Sequence, residues 1–132
     1  METVKASEIM TTEVISATPD MTVVDVMRLL LRWHISGMPV VDESGKLVGV
    51  VTEYDLVNLA ISGSAADTTV EEVMSTDVEA FGPDTLLCEL ARVFSTKNYR
   101  RVPIVDDNKV VGIVSRRDIL REMLNYYNQY QT

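Results

Sequence analysis

Two segments of the chain carry a glycine, a small hydroxyl residue and a carboxylate at one spacing: Gly49, Thr52 and Asp55, then Gly112, Ser115 and Asp118. Glycine in the middle of a strand lets another backbone approach closely. A hydroxyl residue where a strand hands over to a helix sits at the N-cap, where free N–H groups and the positive end of the helix dipole favour an anion. An aspartate three residues later projects from the first helical turn, and its carboxylate can accept two hydrogen bonds from the vicinal hydroxyls of a ribose. Phosphate at the cap and sugar at the carboxylate would make a nucleotide site. The same positions also spell a capping box, in which Asp55 and Asp118 only hold their own helix start. Arg100-Arg101 and Arg116-Arg117 stand at the ends of predicted strands in an acidic chain, and a cap does not need them. They either meet a small anionic ligand or form solvated ion pairs worth about 0–1 kcal/mol each.

The elements that must position these residues come in two copies. Glu8, Met10, Thr12 and Val14 recur 64 positions on as Glu72, Met74, Thr76 and Val78, and Pro19-Asp20 recurs as Pro83-Asp84. After the turn Glu43-Ser44-Gly45, which shortens to Asp107-Asn108, the offset becomes 63 and runs through Asp118. Two copies of about 60 residues do not make a solenoid. Each is too small for a comfortable core of its own, so one compact body of two similar halves is expected. Residues 1–62 read as the first repeat, 63–68 as a small polar linker, and 69–132 as the second repeat with a helical tail.

Each repeat reads as helical turn, strand, helix, strand, strand, helix. Val23, Val26, Met27 and Leu30 form the stripe of a half-buried helix, and Leu87, Leu90, Ala91 and Phe94 repeat it. Thr22 with Asp25, and Asp84 or Thr85 in the second copy, are the expected N-caps. Strands are predicted over Met38–Val41, Leu47–Thr52, Val102–Val105 and Val110–Ser115, joined as hairpins by polar turns. Helices are predicted over Glu53–Ile61 and Arg116–Tyr127, and Thr69 to Glu72 is a further capping pattern. The tyrosine-rich tail Asn125–Tyr130 has no counterpart in the first copy; it frays, caps the last helix or touches a second subunit.

The 132 residues are 46% hydrophobic and 24% charged, the balance of a soluble globular domain. No apolar run reaches the roughly 18 residues of a membrane span, and the opening segment lacks the apolar stretch of a signal peptide. A cytoplasmic address away from membranes is expected. Twelve basic against twenty acidic residues give a net charge of −8, which opposes general binding to nucleic acid. The single Cys88 excludes an internal disulfide and a multi-cysteine zinc site. Cys88 is expected as a packed thiol and Trp33 in the core. With one histidine and no nucleophile–base pair or metal-ligand cluster, no catalytic residue, metal site or catalytic cofactor is expected.

The two Gly-x-x-(Thr/Ser)-x-x-Asp segments, together with Glu8-Ile9-Met10, Glu72-Val73-Met74, Thr18-Pro19-Asp20 and Ser36-Gly37-Met38-Pro39, resemble the cystathionine beta-synthase (CBS) domain. The pair resembles a Bateman module over essentially the whole chain. The second copy departs in having Gly82 before Pro83 and Arg100-Arg101 where the first has Ser36-Gly37. The resemblance implies an α/β (α+β) fold of two tandem βαββα repeats packed about a pseudo-twofold axis, with ligand clefts between the halves. Carried over, one cleft would use Val50, Thr52, Tyr54 and Asp55 with Thr76, Val78, Tyr99, Arg100 and Arg101. The other would use Ile113, Ser115, Arg117 and Asp118, with Arg116 beside them, and Thr12, Val14, His34, Ile35 and Ser36. Pro39 and Pro103 would border the clefts. Apolar members would sandwich adenine, the aspartate would take ribose, and basic or hydroxyl residues would meet phosphate.

The function this implies is a non-enzymatic sensor that binds AMP, ADP or ATP and signals to an effector protein. Whether Mg²⁺ accompanies the phosphates stays open, as does S-adenosylmethionine as the adenosine compound. The alternative is a ligand-free structural module. Modules of this family commonly pair into a disc-like homodimer, and the two apolar helix stripes could form that interface or the intramolecular core.

Overall fold

A computed structural model describes residues 1–63 and 66–130, the side chain of Tyr130 excepted. It divides the chain into two compact units that cut across the sequence repeats. One unit comprises Ile15–Val78 with Asn108–Val110. The other comprises Met1–Val14, Glu79–Asp107 and Val111–Thr132. Each repeat's opening segment thus belongs to the unit built mainly from the other repeat.

In the unit built mainly from the first repeat, helix α2 (Val23–Trp33) covers the antiparallel hairpin of β1 (Gly37–Val41) and β2 (Leu47–Thr52). The helix starts at Thr22, whose hydroxyl accepts the Asp25 N–H, as the spacing predicts. It stops at His34 in the left-handed conformation (φ 53°, ψ 45°). Val23, Val26 and Leu30 are buried against Met38, Val40 and Val51. The helix stripe is therefore core, which removes it as a dimer surface. Short helices α3 (Glu53–Val57) and α4 (Leu59–Ser62) follow β2, then α5 (Val70–Val73). A single helix was expected over 53–61. It is interrupted at Asn58, whose N–H turns to the Leu56 carbonyl instead of the one four residues back.

Residues from the second repeat complete this unit. The N–H groups of Val70 and Glu71 bond to the carbonyls of Met21 and Pro19, and the Val23 N–H bonds to Thr68. Val50 and Ser75 exchange two backbone bonds of 2.9 Å. Gly49 makes that approach possible, because a Cβ there would lie 2.8 Å from Met74 Sδ and 2.9 Å from the Ser75 carbonyl.

The other unit repeats the scheme. Helix α6 (Leu87–Lys97), strands β3 (Arg101–Asp106) and β4 (Lys109–Ser115), and helix α7 (Arg116–Tyr130) are completed by the short α1 (Ala6–Ile9). Asp107 and Asn108, both at positive φ, turn β3 into β4 as a type I′ turn does. Leu87, Leu90 and Phe94 pack with Val102, Ile104, Val114 and Ile119. The Ala6 and Ser7 N–H groups bond to the carbonyls of Thr85 and Pro83, matching Val70 and Glu71 in the other unit. At Gly112 an added Cβ would lie 2.7 Å from Met10 Cγ.

Several expectations are corrected. The opening strand of each repeat is reduced to single bridges, Ala17 beside Val40 and Phe81 beside Ile104. Neither Asp84 nor Thr85 caps α6. Leu86 holds the N-cap position without a side-chain bond, and the Val4 carbonyl takes the Leu87 N–H instead. Trp33 is 50% exposed, with the Arg32 guanidinium 5.6 Å from its ring centroid. Cys88 is exposed, because it precedes the buried Leu90 by two positions and so faces away from the stripe. The tyrosine tail continues α7, with Tyr126 and Tyr127 in edge-to-face contact at 5.6 Å. Linker residues 64–65, the side chain of Tyr130 and residues 131–132 lie outside the described residues.

Candidate functional site

Both hydroxyl–aspartate pairs form the capping box. Asp55 Oδ2 accepts the Thr52 N–H at 2.8 Å and the Thr52 hydroxyl at 3.0 Å, while the Thr52 oxygen accepts the Asp55 N–H at 3.4 Å. Asp118 Oδ2 accepts the Ser115 N–H and hydroxyl at 2.8 and 3.0 Å, and the Asp118 N–H donates back to Ser115 at 3.2 Å. The helix-cap role is thus real at both places. It uses one carboxylate oxygen and leaves the other available for separate work.

The second oxygens differ. Asp118 Oδ1 accepts from Arg121 Nη1 at 3.0 Å, and Asp118 is only 7% exposed. Asp55 Oδ1 has no protein partner among the described residues, and Asp55 is half-buried.

The hairpin register decides which candidate residues meet. Gly37 pairs with Thr52, so the strand entry lies beside the start of α3, and the Glu53 N–H bonds to the Ser36 carbonyl at 2.9 Å. His34, Ile35 and Ser36 therefore accompany Thr52 and Asp55. In the other unit the Arg116 N–H bonds to the Arg100 carbonyl at 3.2 Å. Arg116 Nε reaches the Tyr99 carbonyl at 2.6 Å, and its Nη2 reaches Asn98 Oδ1 at 2.8 Å. Tyr99 and Arg100, with Arg101 next in β3, accompany Ser115 and Asp118. These contacts lie within each unit, where a hairpin brings its own entry and exit together.

Ser75 pairs with Val50 and is followed by Thr76 and Val78 in the same unit; Thr11 exchanges backbone bonds of 2.8 and 3.0 Å with Ile113 and is followed by Thr12 and Val14. Pro39 and Pro103 are buried in their strands, where their carbonyls accept the N–H groups of Ala17 and Phe81. Tyr54 and Arg117 are exposed in the first turns of α3 and α7. His34 is the exposed C-cap of α2.

Two residues at the site escape the sequence reading. Glu79 Oε2 accepts from Lys97 Nζ at 2.8 Å and from the Tyr99 hydroxyl at 3.1 Å, fixing that ring. The Lys97 bond, helped by Tyr99 and opposed by burial, holds the Glu79 carboxyl below its ordinary value of 4.5. Its mismatch with Ile15 in the first copy is the available signal. Arg121 stands three residues after Asp118, a spacing that faces charges on a helix, where the first repeat has Asn58. Among the described residues no cluster of three or more His, Cys, Asp or Glu could hold a metal ion. No described helix is long and apolar enough to cross a membrane.

Among known proteins, an uncharacterized 17.7 kDa protein of Acidianus ambivalens is 32% identical over 93% of this chain and 75% of its own length. An inosine-5'-monophosphate dehydrogenase of Methanocaldococcus jannaschii is 37% identical over 89% of this chain, which spans 23% of that enzyme. The crystal structure of CBSX2 in complex with AMP superposes with a TM-score of 0.84 at 29% identity, covering 92% of this chain and 97% of that one. The CBS domain pair of MJ0100, solved with 5-methylthioadenosine and S-adenosyl-L-methionine, gives 0.81 at 31% identity over 93% and 98%. The CBS-domain family description matches residues 6–62 and 70–125, and the chain belongs to that family as a tandem pair of CBS domains.

Proposed function

We propose that the chain is a non-enzymatic regulatory module that binds an adenosine-containing ligand and passes its occupancy to a partner protein. The observation that carries this reading is the division of labour within Asp55. Oδ2 holds the helix start, and Oδ1 has no protein partner among the described residues, beside the start of α3. A carboxylate oxygen in that position suits a ribose diol, with phosphate toward the positive end of the helix. AMP in CBSX2, and 5-methylthioadenosine with S-adenosyl-L-methionine in MJ0100, support an adenosine compound over other nucleosides. AMP, ADP and ATP are the first candidates. Occupancy reaches a partner only if the ligand binds one arrangement of the protein better than another.

A thermal-shift panel of AMP, ADP, ATP, adenosine, S-adenosylmethionine and GMP tests the proposal. A ligand at one hundred times its dissociation constant should stabilise the fold by about 2.7 kcal/mol. A flat response to every adenosine compound would sink it.

We also infer a homodimer. Leu120, Leu124 and Tyr127 form an exposed i, i+4, i+7 stripe on α7, and Tyr54, Val57 and Ile61 are exposed on α3 and α4. Large apolar side chains in a row on a helix are costly to leave in water. Light scattering in the presence and absence of AMP tests this, and a monomer mass under both conditions would refute it.

A further inference from the structure

Lys46 and Lys109 hold the same position in the two repeats, at the offset of 63. They also face each other. The Leu47 N–H donates to the Asn108 carbonyl at 3.0 Å, and the Val110 N–H donates to the Gly45 carbonyl at 3.1 Å. These bonds flank Lys46 and Lys109, which form an antiparallel bridge of the non-hydrogen-bonded kind. Asn108–Val110 belongs with Ile15–Val78, so the bridge lies inside one compact unit. In such a pair the two side chains leave the same face, with Cβ atoms roughly 4.5–5.5 Å apart. Like charges directly opposite are destabilising, yet both lysines are exposed and neither ammonium has an ion pair among the described residues. Carboxylates are at hand on the two turns. Asp42 Oδ1 is taken by the Ser44 N–H and hydroxyl and by the Lys46 N–H. Those bonds, led by the Ser44 hydroxyl, lower its carboxyl more than the Lys46 charge does. Glu43, Asp106 and Asp107 are exposed, and none of them pairs with either lysine.

We propose that Lys46 and Lys109 together bind the phosphate group of a small solute, one ammonium on each side of a dianion. A dianion neutralises both charges and removes their repulsion, which a single carboxylate does only by half. Lysine serves such a group as a compact point charge with rotatable donors. The net charge of −8 opposes anions at long range, so the affinity rests on these two contacts and is weakened by salt. The site goes beyond the adenosine reading and shares no residue with it. Lys46 immediately precedes β2 and Thr52 ends that strand, roughly 20 Å away at about 3.3 Å per residue. Lys109 opens β4 and Ser115 ends it, at the same separation.

Calorimetry with inorganic phosphate and with pyrophosphate, against chloride at matched ionic strength, tests the site. The proteins are wild type, Lys46→Gln, Lys109→Gln and the double variant. Each single substitution should weaken phosphate about threefold and the double about tenfold, in keeping with exposed charge contacts. Without phosphate and at low salt, each single variant should be at least as stable as wild type, because the repulsion is gone. Equal phosphate affinity in wild type and the double variant would overturn the proposal while leaving the adenosine reading untouched. A wild type that binds neither probe overturns it as well, whatever its response to AMP. A single variant less stable than wild type at low salt would pair that lysine with a carboxylate and refute the clamp. Should the double variant fold poorly by circular dichroism, the two single variants decide, and unchanged phosphate affinity in both refutes it.

Discussion

Asp55 and Thr52 hold each other through three hydrogen bonds, and all of those on the carboxylate fall on a single oxygen. The pair is a helix cap, and in the proposed function the same aspartate also binds the ligand. Asp55→Ala should therefore do two separable things. Stability should fall by about 1 kcal/mol for the lost cap, read as a lower denaturant midpoint. AMP affinity at that site should fall roughly ten- to hundred-fold, as expected for a charged hydrogen bond of about 1.5–3 kcal/mol. A lower midpoint with unchanged AMP affinity would reduce Asp55 to a cap.

Gly49 and Gly112 admit a segment of the other repeat against the middle of a strand. Gly49→Ala forces a Cβ to within 2.9 Å of the Ser75 carbonyl, which is backbone and cannot swing aside. The expected cost is about 1–3 kcal/mol, the usual range for overpacking. Gly112→Ala meets the flexible Met10 side chain instead and should cost less. Chemical denaturation of both variants gives the order, and a milder Gly49 variant would contradict the geometry.

His34 terminates α2 in the left-handed conformation, which costs a non-glycine residue about 1 kcal/mol. His34→Gly should raise stability by up to that amount. The same variant examines the ligand role implied for His34 by the family resemblance. Retained AMP affinity alongside the gain in stability would mark it as a helix stop alone.

Glu79 gives a signed pH dependence. Its carboxyl is held below 4.5, chiefly by Lys97 and then by Tyr99, so its contribution is present in full above that value. It is lost as pH falls through the lowered folded value, because the unfolded chain then binds the proton more readily. The Tm gap between wild type and Glu79→Gln should be widest near about pH 6 and shrink toward about pH 3. A gap that is constant with pH would assign the variant's effect to packing.

The exposed stripe on α7 makes a prediction about assembly. Leu120→Glu with Leu124→Glu should halve the mass seen by light scattering if that stripe pairs two chains. Both residues are exposed in the isolated chain. Its fold should therefore change by no more than about 0.5 kcal/mol per substitution. An unchanged dimer mass would locate the interface elsewhere.

Period and turn chemistry are local properties, and the sequence determined what depends on them. The stripes of α2 and α6 and the strand β2 stand where the spacing puts them, because a 3.6-residue or 2-residue pattern needs only near neighbours to express itself. The capping boxes at Thr52 and Ser115 were readable for the same reason, since every atom involved lies within three residues. Tertiary structure alone decided which copy of each segment joins which unit. Met10 on Gly112 and Met74 on Gly49 are long-range choices, and two similar repeats spell both alternatives equally well. It also decided that Ser36 meets Glu53 and Arg100 meets Arg116, a matter of hairpin register. On α7, Arg121 engages Asp118 Oδ1, while Asp55 Oδ1 has no protein partner among the described residues. The duplicated motif is local, and so is the Arg121 that sets Asp118 apart from Asp55; what folding alone supplies is the segment of the other repeat that packs against each glycine.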